Sequence, residues 1–180
     1  MRRWAMAAAL AATMALAAGC GSDDTSSTSA TTDWADGVCQ ALTTWGDALS
    51  STADSLKDGG LSTDGLSDAA DEIKGATETL GDDLRSLGRP DTEAGQSAQD
   101  TLTQLADDLS GEIDTITTAV DEASGVSGAV QAIATVSSTL TEMASQVGGA
   151  LSSLEALDGG QELEDAFAQA ESCADLQGGS

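Results

Sequence analysis

Almost every side chain in this sequence that could do chemistry is a carboxylate. The 180-residue chain has 31 Asp and Glu residues, only 6 Lys and Arg residues, and no His. Without His there is no imidazole base for Ser–His or Cys–His catalysis, few transition-metal ligands, and no Glu-x-x-His motif of helical di-iron proteins. No glycine-rich phosphate loop occurs either. The sequence therefore predicts a protein that is not an enzyme and has no catalytic residue, metal site or cofactor.

Several carboxylates are adjacent or one helical turn apart, as at Asp64 and Asp68, Asp82 and Asp83, and Asp107 and Asp108. Clustered oxygen ligands can hold Ca²⁺, but none of these clusters has the Gly-centred loop of an EF-hand. A pair of carboxylates could also hydrolyse a glycosidic bond. The chain, however, has only 3 Trp, 1 Phe and no Tyr with which to bind a sugar ring. We interpret the clusters as solvated surface, with specific Ca²⁺ binding as the open alternative.

The net charge of −25 restricts the partners that this chain can have. If residues 1–19 are removed, Arg2 and Arg3 are lost, and 4 basic residues minus 31 acidic residues leave −27. The basic residues that stay all precede Pro90: Lys57, Lys74, Arg85 and Arg89. Such a field opposes binding to nucleic acid and to anionic lipid, and it favours a basic protein partner or cations.

The first twenty residues have the pattern of an export signal. Arg2 and Arg3 precede an apolar run over 4–18, which ends in small residues before Cys20. The run is shorter than the roughly 20 apolar residues of a transmembrane helix. The end of the run resembles the lipobox of bacterial lipoprotein precursors. That resemblance implies a signal peptide over 1–19, a diacylglycerol thioether on Cys20, and anchoring to the extracytoplasmic face of the cell membrane. The alternatives are an ordinary signal peptide that is cleaved elsewhere and an anchor that is not cleaved.

Helical periodicity predicts an all-α domain over 33–177, behind a lipidated Cys20 and a disordered tether ending at residue 32. Gly, Ser, Asp, Thr and Ala fill 21–32 without a large apolar side chain, which is typical of a flexible spacer. Apolar residues then recur every three or four positions, with Gly and Pro between the runs. We predict helices over 34–57, 63–87, from a Thr92 N-cap to about 120, 126–157 and 161–176. They form an up-and-down bundle of four to five helices.

The predicted fourth helix has a composition unlike that of the others. Between Ala123 and Leu154 the only charged residue is Glu142. A stripe of larger apolar residues is predicted to face the core: Val126, Val130, Ile133, Leu140, Val147, Leu151 and Leu154. A helix that is weakly polar all round is most simply the central helix of a bundle. An exposed docking face or a pore-like surface is the alternative.

Two thiols remain if Cys20 is lipidated. Cys39 and Cys173 are then an even pair outside the membrane, where disulfides persist, and we predict that they form one disulfide. Trp34, Trp45 and Phe167 are the aromatic residues beyond Cys20. We predict that they pack around the disulfide end of the bundle, with a ligand platform as the alternative.

Three segments resemble small helical-bundle lipoproteins of high-GC Gram-positive bacteria. They are Trp34-Ala35-Asp36-Gly37-Val38-Cys39, Leu84 to Thr92, and Ala166-Phe167 with Ser172-Cys173. No activity is assigned to that group, so the resemblance implies localisation and little else. We therefore predict a non-enzymatic, lipid-anchored interaction or scaffolding module of the cell envelope with an extracytoplasmic protein partner. A carrier of a small ligand or of cations, bound in a groove of the bundle, is the alternative.

Overall fold

The computed structural model describes residues 23–59 and 62–178. These residues form six helices: α1 (Asp23–Gly59), α2 (Thr63–Ser86), α3 (Gly95–Asp121), α4 (Gly125–Glu155), α5 (Gln161–Gln169) and α6 (Glu171–Gly178). No strand occurs among the described residues. The first four helices run up and down, which confirms the predicted all-α bundle. The predicted signal peptide over 1–19 and the predicted lipidation site at Cys20 lie outside the described residues.

The second and third helices form the centre of the fold. The apolar faces of α2 and α3 pack against each other, with Leu66, Ile73 and Leu80 on one side and Leu109 and Ile116 on the other. Each of these five side chains is at most 2% exposed. Burying one Leu or Ile side chain contributes roughly 1.5–3 kcal/mol to folding, so this seam is a major source of stability.

The other four helices are not distributed evenly around the contact between α2 and α3. α2 packs between α1 and α3, and α3 packs against α4. The short helices α5 and α6 pack against α1, and α5 also contacts α4. No Cα atom of α1 lies within 8 Å of a Cα atom of α4. The bundle is therefore bridged by α5 at the end where α4 finishes, and it lacks a bridging helix at the end where α4 begins.

The first helix begins at Asp23, ten residues before the predicted start of the domain, and it includes most of the segment that the sequence predicted as a tether. Thr31 is 3% exposed and lies one turn before Trp34 and Ala35, on the buried face of the helix. The Thr32 hydroxyl donates to the carbonyl oxygen of Thr28 at 3.0 Å. Once a helix is nucleated, each added residue gains a hydrogen bond at little cost, so a polar sequence can continue it.

Two further boundaries differ from the predictions. Thr92 does not cap α3, because the helix begins at Gly95 with Ala94 in the N-cap position. The predicted fifth helix is divided at Ala170, where ψ is 123° and the backbone is extended. Across this break the Asp36 carboxylate accepts a hydrogen bond from the Ser172 backbone N–H at 2.9 Å. A side chain of α1 thus satisfies a free donor in the first turn of α6, which makes a second helix start possible there.

A disulfide links α1 to α6, the first and the last helix of the described chain. The Sγ atoms of Cys39 in α1 and Cys173 in α6 are 1.95 Å apart, so the predicted disulfide is confirmed. Beside it, the Trp34 and Phe167 rings meet edge to face with centroids 5.9 Å apart. The Trp45 indole N–H instead donates to the Thr77 hydroxyl oxygen at 3.1 Å, inside the α1–α2 contact. The aromatic cluster is therefore confirmed for Trp34 and Phe167, while Trp45 anchors α2.

Candidate functional site

An apolar groove lies at the end of the bundle where α1 and α4 are not bridged. It has a volume of about 240 Å³. Its walls come from the second half of α1 and the first half of α4, and its floor comes from α2. The lining residues are Leu49, Thr52, Ala53, Leu56, Leu66, Ile73, Ile133, Val136, Ser137 and Leu140. We call this feature the α1–α4 groove.

The side of α4 that faces α3 differs from the one that the sequence predicted, and this orientation leaves the groove open. Its buried positions are mostly small or flexible side chains: Ala129, Ala132, Val136, Thr139, Met143 and Leu154. Small residues let α4 approach α3 closely, and the gain in close packing offsets the smaller apolar area. Of the predicted stripe, Val126 and Val130 are 84% and 57% exposed, and Leu154 alone is buried. The predicted core stripe of the fourth helix is therefore wrong at Val126 and Val130, whereas Leu154 belongs to the core and the other four residues are half-buried against it.

The predicted central position of the fourth helix is also wrong. α4 packs mainly along α3, with much smaller contacts to α5 and α2. The half-buried Ile133 and Leu140 lie along the wall of the groove, and the more exposed valines lie on the outside of the bundle. The alternative interpretation, that an uncharged helix presents an exposed face, thus fits the fold better.

The chemistry of the groove is that of an aliphatic surface. No ionisable or aromatic side chain lines it, and its only polar residues are Thr52 and Ser137. The Thr52 hydroxyl is already within 3.0 Å of both the Ala48 carbonyl oxygen and a Glu72 carboxylate oxygen. This arrangement can bury apolar groups of a ligand or partner.

The acidic clusters remain on the surface. In α2, Asp64, Asp68 and Asp82 are exposed. Asp107 of α3 accepts a hydrogen bond from the Arg85 guanidinium at 3.2 Å. Within residues 23–59 and 62–178, no three Asp, Glu, Cys or His side chains come together in a way that could hold a metal ion. The clusters that the sequence singled out are therefore separate carboxylates along helix faces.

Comparison of the chain with protein-family models, with curated proteins and with solved structures finds no match. Within the part of the chain that the structure describes, no helix is long and apolar enough to cross a membrane. The class defined by the fold and the site is a disulfide-linked helical bundle with an apolar groove between α1 and α4.

Proposed function

We propose that this protein is a non-enzymatic, lipid-anchored interaction module on the extracytoplasmic face of the cell membrane. In this proposal the α1–α4 groove receives aliphatic side chains of a partner protein. The observation that carries the proposal is an uncharged, aliphatic groove on a chain whose net charge is −25. A concave surface lined by apolar side chains is typical of a binding site.

The dimensions of the groove favour a protein segment over a whole small molecule. Sites for drug-sized ligands usually measure about 300–1,000 Å³ and bury most of the ligand. The groove is smaller, at about 240 Å³, and is lined over two turns of α1 and two turns of α4. An amphipathic helix that inserts a few side chains at i, i+3 and i+4 spacing matches such a surface.

The charge of the chain limits the partner further. Net charge of this size attracts basic surfaces over distances of about 10 Å at moderate salt and repels acidic ones. We therefore expect an inserted segment with Lys or Arg residues flanking its apolar face. Such charges raise the association rate and the specificity more than the final affinity.

A carrier of a small apolar ligand is the second candidate. It is favoured by the floor of the groove, where the fully buried Leu66 and Ile73 side chains close the space toward α3. A medium-length alkyl chain would contact aliphatic groups on three sides there. Native mass spectrometry with alkyl alcohols distinguishes the candidates, because an interaction module is expected to retain none of them.

The groove proposal is tested by photo-crosslinking in intact cells. A photoreactive residue at Ser137 is expected to give one dominant adduct with a protein other than a second copy. Filling the groove with Ala53→Trp is expected to reduce that adduct about tenfold, the effect of losing about 1.4 kcal/mol of binding free energy.

The matched control is Ser51→Trp, which places the same ring on an exposed position of α1. It should leave the Ser137 adduct unchanged, and both variants should keep the helical circular dichroism spectrum of the parent chain. An Ala53→Trp variant that is crosslinked as efficiently as Ser51→Trp would refute the groove as the docking site.

The anchor has its own test. Replacing Cys20 with Ser removes the thiol to which the lipid is attached, and we expect the protein to lose incorporation of a labelled fatty acid. We also expect Triton X-114 partitioning to change, since two acyl chains provide most of the membrane affinity of a lipoprotein. A Cys39→Ser variant controls for the loss of a different thiol. Equal fatty-acid labelling of the Cys20→Ser variant and the parent would contradict the proposed lipidation.

A further inference from the structure

The first helix sets the distance between the α1–α4 groove and the N-terminal part of the chain. α1 begins at Asp23, and its second half forms one wall of the groove from Leu49 to Leu56. At a rise of 1.5 Å per residue, Leu49 lies about 39 Å and Leu56 about 50 Å along the helix from Asp23. The groove is therefore at the end of the bundle that is remote from the start of α1.

The N-terminal part of α1 projects beyond the end of α2. The turn after α2 is level with Trp34, whose indole N–H donates to the Gly88 carbonyl oxygen at 3.1 Å. Asp23 lies 11 positions earlier, which is about 16 Å further along the helix. The base of this projection is packed, because Thr31 is 3% exposed and Cys39 links α1 to α6. The projection is thus a continuation of a packed helix.

Two residues separate the start of α1 from the proposed lipid anchor. Cys20 and Asp23 are three positions apart, so their Cα atoms can be at most about 11 Å apart. A flexible spacer that ended at residue 32 would have a mean length of roughly 20 Å and could let the domain turn in any direction. Because α1 begins at Asp23 instead, one short connection determines the orientation of the bundle relative to the anchor.

The distribution of charge opposes an orientation in which the bundle lies on the membrane. All 31 acidic residues follow Cys20 in the sequence, and α2 and α3 carry exposed carboxylates along their lengths. An anionic bilayer repels such faces once they come within about 10 Å, the Debye length at moderate salt. An orientation with α1 directed away from the bilayer keeps α2 and α3 beyond that distance.

We propose that α1 holds the α1–α4 groove about 40 Å or more from the bilayer surface, so that its occupant is an aliphatic segment of a protein outside the bilayer. This inference rests on the proposed function, since it needs both the anchor at Cys20 and the groove as a docking site. The acyl chains of one leaflet extend through only about 15 Å, half of the hydrocarbon core, and do not reach the groove. Even with α1 inclined by about 60° from the membrane normal, Leu49 would lie about 20 Å above Asp23.

The exposed apolar side chains of α4 lie at the same remote end of the molecule. Among the residues that the structure describes, the large apolar side chains that are exposed are Val126, at 84%, and Val130, at 57%. Both lie in the first two turns of α4, and the turns that follow line the groove with Ile133 and Leu140. An apolar surface at this height is out of reach of membrane lipid, so it suits a protein partner.

Fluorescence quenching in vesicles tests the distance from the membrane. The lipidated chain is reconstituted into vesicles of phosphatidylcholine and phosphatidylglycerol that carry a short-range energy acceptor on the lipid headgroup. Ser29→Cys and Ser51→Cys are the matched pair, because both residues are exposed on α1 and lie 22 positions, or about 33 Å, apart. With Cys20 lipidated and Cys39 bonded to Cys173, only the introduced thiol takes the fluorophore. The Ser29 label should lose most of its fluorescence, and the Ser51 label should lose almost none.

The two possible failures of this experiment have different meanings. A similar loss at both positions would mean that α1 lies along the bilayer, and it would overturn the inference while leaving the anchor intact. A loss at neither Ser29 nor Ser51 would mean that the chain is not anchored beside the start of α1, and it would overturn the proposed lipidation of Cys20 together with the inference. Both variants should keep the circular dichroism spectrum of the parent chain, since both serines are exposed.

Photo-crosslinking in the same vesicles tests the occupant. A photoreactive residue at Ser137, which lines the groove, is expected to form no adduct with phospholipid. The positive control is the same photoreactive residue at Ser22, two positions from Cys20 in the sequence, which should form one. A phospholipid adduct at Ser137 would overturn the inference that the occupant lies outside the bilayer. In intact cells, absence of any protein adduct at Ser137 would instead overturn the groove as a docking site.

Discussion

Replacing both Cys39 and Cys173 with Ala is expected to lower the free energy of unfolding by about 5 kcal/mol. The disulfide closes a loop with a sequence separation of 134, and the loss of chain entropy in the unfolded state grows with loop length. Small domains are stable by about 5–15 kcal/mol in total, so the variant should lose a third or more of its stability. Urea unfolding followed by far-ultraviolet circular dichroism measures the change.

The fold indicates where the loss should appear first. Cys173 lies in the eight-residue α6, whose first turn is otherwise held to α1 by the 2.9 Å hydrogen bond between the Ser172 N–H and Asp36. Without the disulfide we expect hydrogen exchange of α6 to become fast under conditions that leave α2 and α3 protected. Adding a reductant to the parent chain should reproduce the destabilisation, and adding it to the double variant should have no effect. A double variant within 1 kcal/mol of the parent in urea would contradict the expected role of the disulfide.

The helices that the sequence predicted best are those in which large apolar residues follow a strict heptad. In α2 and α3, Leu and Ile recur every three or four positions between charged residues, so only one face of each helix can be buried. Only one orientation of each helix therefore buries Leu80 and Leu109. The disulfide could be predicted equally well from the sequence, because only two cysteines follow Cys20.

The orientation of the fourth helix was predicted only in part because its sequence allows two orientations. Ala129, Val136 and Met143 form one apolar stripe, and Val130 and Ile133 belong to another stripe beside it. With so few charged residues, burial of either stripe leaves no charge inside the protein, and the choice depends on how closely α3 and α4 can pack. That choice is a property of the assembled core, and the α1–α4 groove results from it.

The break at Ala170 and the early start of α1 have a related cause. The first depends on Asp36, which lies 136 positions before its partner Ser172, and the second depends on the burial of Thr31. Both are tertiary interactions of polar residues, and hydrophobic periodicity contains no signal for them. A search for carboxylates near a second helix start could have suggested a cap, but not which helix supplies it.

Replacing Phe167 with Ala is expected to cost about 3–5 kcal/mol, because a large side chain is removed from a packed site. Phe167 is 5% exposed, and its ring meets the Trp34 ring at an interplanar angle of 71°. An edge-to-face pair of this kind adds about 0.5–1.5 kcal/mol beyond the buried area. The indole N–H of Trp34 also donates to the Gly88 carbonyl oxygen at 3.1 Å, so the same side chain links α1 to the turn after α2.

Phe167→Leu is the matched control for this prediction. It retains an aliphatic group of intermediate volume, so its cost should be about 1.5 kcal/mol or less. Combining each variant with the Cys39→Ala, Cys173→Ala pair tests whether the two contacts act together, since both hold the α5–α6 segment on α1. If the segment acts as one unit, loss of the disulfide should detach it, and Phe167→Ala should then cost much less than it does in the parent chain. Additive costs would mean instead that α5 stays docked on α1 through its own apolar contacts.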